Sequence, residues 1–186
     1  GNTIAASTAV HDVVASQTVG RSTTRLNMMI GQRNLRFERV RGLDALDGEL
    51  NVQLGTDLGL TMGRSIDMFS VDGVPSPDDF FGRVRLFAGH DPGNSFVFAQ
   101  IAAEGRRLRN GHDRWRDLIG EIDLYSYLRT DRIPGQTLFL RASAAGGWSA
   151  ESPFQLTLGG RDAVRGFREE HAPGARRMLL TVEDRI

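Results

Sequence analysis

The chain has no cysteine. Disulfides and thiolate metal sites are therefore excluded. It has no lysine either, so all 23 basic residues are arginine. They are matched by 23 acidic residues, giving a formal net charge of +0. That balance supplies no general electrostatic attraction to nucleic acid, and no nucleic-acid partner is expected. No run of about 18 apolar residues occurs, so no transmembrane helix is expected. A β-barrel escapes that test, because its strands carry apolar residues only at alternate positions. The amino terminus, Gly1-Asn2-Thr3-Ile4, has no basic region followed by an apolar core, so no signal peptide is visible. The chain begins without Met and stops at Ile186 inside an apparent strand. It reads as an internal piece of a longer protein.

Enzyme signatures are equally scarce. There is no G-x-S-x-G elbow. His11, His90, His112 and His171 are scattered without metal-ligand spacing. No Gly-rich phosphate loop falls between a strand and a helix. Gly42-Leu43-Asp44-Ala45-Leu46-Asp47-Gly48 has a faint likeness to a cation loop but reads better as a turn between long strands. Neither catalysis, a cofactor nor a metal is expected.

Period-two alternation is abundant. Residues 1–21 are small and polar and define no element, but from Ser22 onward the pattern is β. Between Leu50 and Arg64, Val52, Leu54, Leu58, Leu60 and Met62 fall on one face, opposite Asn51, Gln53, Asp57 and Thr61. In 115–129, Leu118, Ile122, Leu124 and Leu128 oppose Asp117, Glu121, Asp123, Tyr125 and Tyr127. In 136–148, Leu138, Leu140, Ala142 and Ala144 oppose Thr137, Phe139, Arg141 and Ser143. In 176–186, Met178, Leu180 and Val182 oppose Arg177, Thr181, Glu183 and Arg185. Shorter strands fit 82–90 and 95–107, and a long one, broken at Gly31, fits 22–41. The fold class predicted is all-β, with about seven long antiparallel strands.

A half-exposed soluble sheet and an inside-out barrel both give such alternation. Strand length favours the barrel, since soluble strands usually run about 5–6 residues and tilted membrane-spanning ones about 9–11. The connections also alternate in length. Asp91-Pro92-Gly93-Asn94 and 131–135 are tight turns, while 67–80, 106–113 and 149–175 are longer polar segments. Asp117, Glu121 and Asp123 along one strand face read as wall charges balanced by nearby arginines. Trp115 and Trp148 near strand ends suit an interfacial aromatic belt, and ordinary packing explains them equally well.

The most specific signal lies between 149 and 175. Pro153-Phe154 leads to the pair Gly159-Gly160, then to Val164-Arg165-Gly166-Phe167, and a strand with Glu183-Asp184-Arg185 follows. This combination resembles the BamA/TamA family of outer-membrane barrels, the bacterial surface antigen family. The compact match covers residues 146–186; upstream, the likeness is strand length and alternation alone. The resemblance implies a transmembrane β-barrel in a bacterial outer membrane, of which residues 1–186 form part. It implies a function in protein insertion or translocation, with outer-membrane lipid and client outer-membrane or secreted polypeptides as partners. It also implies that 149–175 is a long extracellular loop folded into the lumen. Arg165 would there meet an inward acid, Glu183 or another, with Gly166 allowing a tight turn and Phe167 anchoring the tip. The family's following strands, one of which carries a further acidic partner for this arginine, do not appear before Ile186. Three alternatives stand beside this one: a two-partner-secretion-type exporter, a barrel anchoring an upstream enzyme such as a patatin-like lipase, and a soluble β-sheet binding domain.

Overall fold

The computed structural model describes residues 24–43, 48–66, 78–109, 115–129, 135–151, 154–158, 164, 168 and 172–185. Residues 1–21 lie outside these. The described residues form one seven-stranded antiparallel sheet in sequential order, with no helix. The strands are β1 (Thr24–Arg41), β2 (Glu49–Ile66), β3 (Asp79–His90), β4 (Ser95–Leu108), β5 (Trp115–Arg129), β6 (Thr137–Trp148) and β7 (Arg176–Arg185). The longest span 18 residues and the shortest 10. Each pairs only with its sequence neighbours, and β1 and β7 are not paired with each other.

Up-and-down order sorts the connections by end. β1–β2, β3–β4 and β5–β6 are joined at one end of the sheet, and β2–β3, β4–β5 and β6–β7 at the other. The 91–94 turn is closed by the Gly93 amide donating to the Asp91 carboxylate at 2.8 Å, with Gly93 at φ 112. The first turn is closed by the Gly42 amide donating to Gly48 O at 3.3 Å; its Asp44 and Asp47 lie outside the described residues.

Two faces result. The outer one carries Leu26, Met28 and Ile30 on β1, Leu58, Leu60 and Met62 on β2, Val84 on β3, Val97 and Ile101 on β4, Ile122, Leu124 and Leu128 on β5, and Met178, Leu180 and Val182 on β7, all exposed. Cross-strand register makes this one continuous band. Leu58 stands opposite Leu86, Leu86 opposite Ile101, Ile101 opposite Ile122, Ile122 opposite Ala144 and Ala144 opposite Met178. The inner face carries the charged residues toward the loop end and an apolar cluster toward the short-turn end. That cluster is Val40, Leu43, Val52, Leu54, Phe96, Phe98 and Tyr127. Leu43 comes from the β1–β2 turn, which folds across the inner face far enough for Gly42 O to accept from Thr137 Oγ1 and Leu43 O from Arg185 Nη1. The sheet is thus curled.

The structure corrects the single-face reading of 50–64. Val52 and Leu54 are buried inward while Leu58, Leu60 and Met62 face out. The switch is at Gly55, whose φ of 102 breaks the alternation. β1 is also continuous through Gly31, which sits opposite Gly59. β3 starts at Asp79, a residue read as part of a loop, and β4 runs to Leu108, so Arg106, where the predicted strand 95–107 and the segment 106–113 overlap, belongs to the strand.

A Cβ at Gly55 would lie 2.1 Å from Asn34 O in addition to requiring positive φ. Gly55→Val should therefore destabilise the fold by about 1–3 kcal/mol or more. Gly82→Ala, with nothing within 4 Å of its Cβ, should stay within about 0.5 kcal/mol of the parent. Urea titration of both variants checks the contrast.

Candidate functional site

The inner face is built by alternation, and its charges pair across neighbouring strands. Arg33 Nε donates to the opposing Asp57 at 2.9 Å. Arg83 meets the opposing Glu104 at 2.6 Å. Arg141 Nε donates to Asp123 at 2.9 Å. Of the three acids read as balanced by nearby arginines, Asp123 and Asp117 accept from Arg141 and Arg106, while Glu121 has no ion pair among the described residues.

At the loop end the pairs merge around Arg106. Its Nη1 donates to Asp79 at 2.8 Å, its Nε to Asp117 at 2.8 Å, and its Nη2 to Asp117 and, at 3.3 Å, to Glu151. Asp79 is 0% exposed. Its amide donates to Ser65 Oγ at 2.7 Å, and Arg25 Nη2 reaches its other carboxylate oxygen at 3.4 Å. Arg25 also lies over the Phe81 ring at 4.7 Å. Glu151 is held in turn by Arg116 at 2.8 Å and donates its amide to Asp117 at 2.7 Å. A bulge delivers Asp117 to this cluster. Two residues, Asp117 and Leu118, stand against Gly105, and Asp117 takes φ 47. One planar guanidinium, with its five donors, therefore ties β3, β4, β5 and the segment after β6 together.

The middle of the inner face encloses a cavity of about 640 Å³, lined among others by Arg33, Asp57, Arg85, Gln100, Glu121 and Tyr125. Arg85 and Glu121 lie in one cross-strand row, each opposite Ala102. Phe98 stacks on Tyr125 with centroids 4.7 Å apart at the cavity's short-turn side.

The start of the long loop folds over this face. Phe154 packs on Gly147, where an added Cβ would come within 2.6 Å of its ring. Leu156 and Gly174 exchange backbone hydrogen bonds at 2.8 Å, and Arg177 Nη1 donates to Thr157 O at 3.0 Å. Val164 donates its amide to Leu158 O at 2.9 Å. Gly159, Gly160, Arg165, Gly166 and Phe167 lie outside the described residues. Glu183 is on the inner face as expected, and Arg185 donates to it through Nε at 3.1 Å and Nη2 at 2.8 Å. That contact orients Arg185 over Phe139 at 4.5 Å and toward Leu43 O. Glu183 thus helps hold the first turn in place. It stands roughly 23 Å along the strand from Arg176 and the loop, at ~3.3 Å per residue.

The Arg106 cluster was not visible in the sequence. Asp79 fell in a segment read as a loop, Arg106 lay where the predicted strand 95–107 and the polar segment 106–113 overlapped, and only cross-strand register brings them together. No protein-family model, curated protein or solved structure matches the chain. Among the described residues no group of His, Asp and Glu is arranged to hold a metal ion.

Asp79→Ala should cost about 1–3 kcal/mol, because it leaves Arg106 Nη1 without its buried acceptor while Asp117 and Glu151 still balance the charge. Arg106→Lys should recover little of an Arg106→Ala loss, since an ammonium cannot present the fork that reaches three carboxylates. Chemical denaturation of the single and double variants reads the coupling between Asp79 and Arg106.

Proposed function

We propose that the sheet is the wall of a transmembrane β-barrel of the bacterial outer membrane, with the ion-paired face toward the lumen and the aliphatic band toward lipid. One observation carries this reading: an uninterrupted apolar band crosses the sheet while, at the height of that band, the charged residues lie on the opposite face. In water that arrangement leaves Met178 80% and Leu180 76% exposed, among many others, far beyond the scattered apolar residues of a soluble surface. In hydrocarbon it is the favourable one. The strands are long enough to cross, and their order puts the two longest connections, 67–78 and 149–175, on one side and none longer than seven residues on the other, as periplasmic turns would be. Backbone groups on the free edges of β1 and β7 would need strand partners in lipid, so closure calls for further pairing at both edges.

By its Gly159-Gly160 and Val164-Arg165-Gly166-Phe167 segment, the chain resembles barrels that insert or translocate other proteins, and we take that as the finer reading. The Phe154 and Arg177 contacts at the loop base favour it, because they start the loop inward over the wall. Glu121 is the inward acid best suited to Arg165: it faces the cavity and has no ion pair among the described residues. Export of an unfolded chain, as in two-partner secretion, would require the Leu43 turn to move, since it blocks the short-turn end. A lipase anchor would need the catalytic residues elsewhere. A soluble binding sheet would have to cover the aliphatic band with a partner.

The full-length protein should stay in carbonate-washed outer membranes and migrate faster on SDS gels when unboiled. Ile101→Arg, in the middle of the band, should cost about 2–4 kcal/mol of folding in lipid, against a much smaller effect for Gln100→Arg on the lumen side. A soluble product without heat-modifiable migration would contradict the barrel. Arg165→Glu should impair assembly or activity of the intact protein, with partial recovery on adding Glu121→Arg; unchanged behaviour of the single variant would remove the loop from the mechanism.

A further inference from the structure

The outer face changes character at its loop-side border. Leu26, Arg64, Phe80, Arg107 and Trp115 stand in direct cross-strand register from β1 to β5. The aliphatic band ends there in a row where guanidinium and ring alternate. Arg64 lies over Phe80 at 5.4 Å and Arg107 over Trp115 at 5.9 Å. Further round the sheet Arg176 lies over Trp148 at 5.2 Å. The rings of Phe80, Trp115 and Trp148 are about half exposed. Trp148 in turn rests over Gly146 and Gly120, whose lack of side chains makes room for the indole.

These arginines differ from those at the opposite end of β1. There Arg39 and Arg41 share the carboxylate of Glu49 at 3.7 and 2.5 Å. At the loop-side border, Arg107 and Arg176 have no carboxylate partner among the described residues, and Arg64 has only a loose one, Asp78 at 3.8 Å. A ring face holds a guanidinium in place without using its in-plane N–H donors. Those donors stay directed along the surface, at the height where an apolar band meets water. The group that fits is a planar-forked acceptor of negative charge carried on an apolar tail, that is, the phosphate of an anionic lipid headgroup.

We propose that the row Arg64, Arg107 and Arg176, seated on Phe80, Trp115 and Trp148, binds the headgroup phosphates of anionic lipid in the loop-side leaflet. This rests on the barrel reading above. It adds a defined lipid chemistry at the loop-side border to a band that itself offers lipid only aliphatic contact, while the arginines at the opposite end of β1 are taken up by Glu49. The rings fix the depth of the row and the guanidinium groups select the headgroup.

The test uses full-length protein reconstituted in phosphatidylcholine vesicles containing trace spin-labelled phosphatidylglycerol or spin-labelled phosphatidylcholine. Electron spin resonance reads the motionally restricted fraction of each lipid. The unaltered protein should prefer phosphatidylglycerol by about threefold or more at low salt, falling toward parity at 1 M salt. The triple variant Arg64→Gln, Arg107→Gln, Arg176→Gln should lose the preference while keeping heat-modifiable migration. Should the triple variant fail to fold, Arg107→Gln alone should lower the preference by a measurable part. Equal association of the two lipids with the inserted unaltered protein, or a preference that survives in the variants, overturns the inference alone. Protein that never becomes carbonate-resistant overturns the barrel reading and this inference with it.

Discussion

A strand of ten or more residues carries one donor and one acceptor per residue, and each must find a partner wherever water cannot reach it. In this chain neighbouring strands supply them along the paired lengths of the sheet, and the outward edges of β1 and β7 remain open. The paired strands run 10 to 18 residues, and the buried apolar cluster is small beside them. The ladder is therefore the frame, and the side chains decide only which medium each face can meet. Because side chains alternate, a single choice of register fixes the environment of every residue on both faces. That is why Gly55 matters out of proportion to its size. Its positive φ lets β2 turn Val52 and Leu54 inward at the short-turn end while keeping Leu58, Leu60 and Met62 outward above it.

The inner face is organised by charge in one half and by packing in the other. Toward the loops, Arg106, Asp79, Asp117 and Glu151 lock β3, β4, β5 and the segment after β6 to one another. Toward the short turns, Leu43 sits under the Phe96, Phe98 and Tyr127 rings, and Arg185, braced by Glu183, holds its carbonyl. Between them lies the cavity with Arg85 and Glu121. The same guanidinium chemistry serves differently on the outer face, where the arginines sit on aromatic rings rather than on carboxylates. Buried carboxylates inside and free donors at the outer border are two uses of one residue type in a chain that has no lysine.

Much of the fold was legible in the amino-acid order, because a two-residue period is a local signal. The alternation over 115–129 marks β5 to its ends, and that over 176–186 places Glu183 inward as found. What the order hid depends on neighbours distant in sequence. Asp79 looked like a loop residue and Arg106 lay at an ambiguous strand end, since consecutive charges and Gly105 obscure the period and only the β3–β4 register joins them. Val52 and Leu54 were misplaced because a glycine in a strand does not announce whether it adopts positive φ. The Arg64–Phe80–Arg107–Trp115 row is invisible until three strand registers are known. The loop signature is the reverse case, conspicuous in sequence while Arg165, Gly166 and Phe167 lie outside the described residues.

The central claim is that the aliphatic face meets lipid and the charged face meets a hydrated lumen. The absence of native cysteine in these residues makes the claim directly measurable. Single cysteines at Ile101 and Ile122 on the outer face, and at Gln100 and Asp123 on the inner, would each carry one nitroxide label in the membrane-reconstituted protein. Collision rates with oxygen, which partitions into lipid, and with a water-soluble nickel chelate then report the medium at each site. The account predicts high oxygen and low nickel accessibility at 101 and 122, with the ratio inverted at 100 and 123. Equal ratios at adjacent positions, or nickel access at 101 and 122, would contradict it.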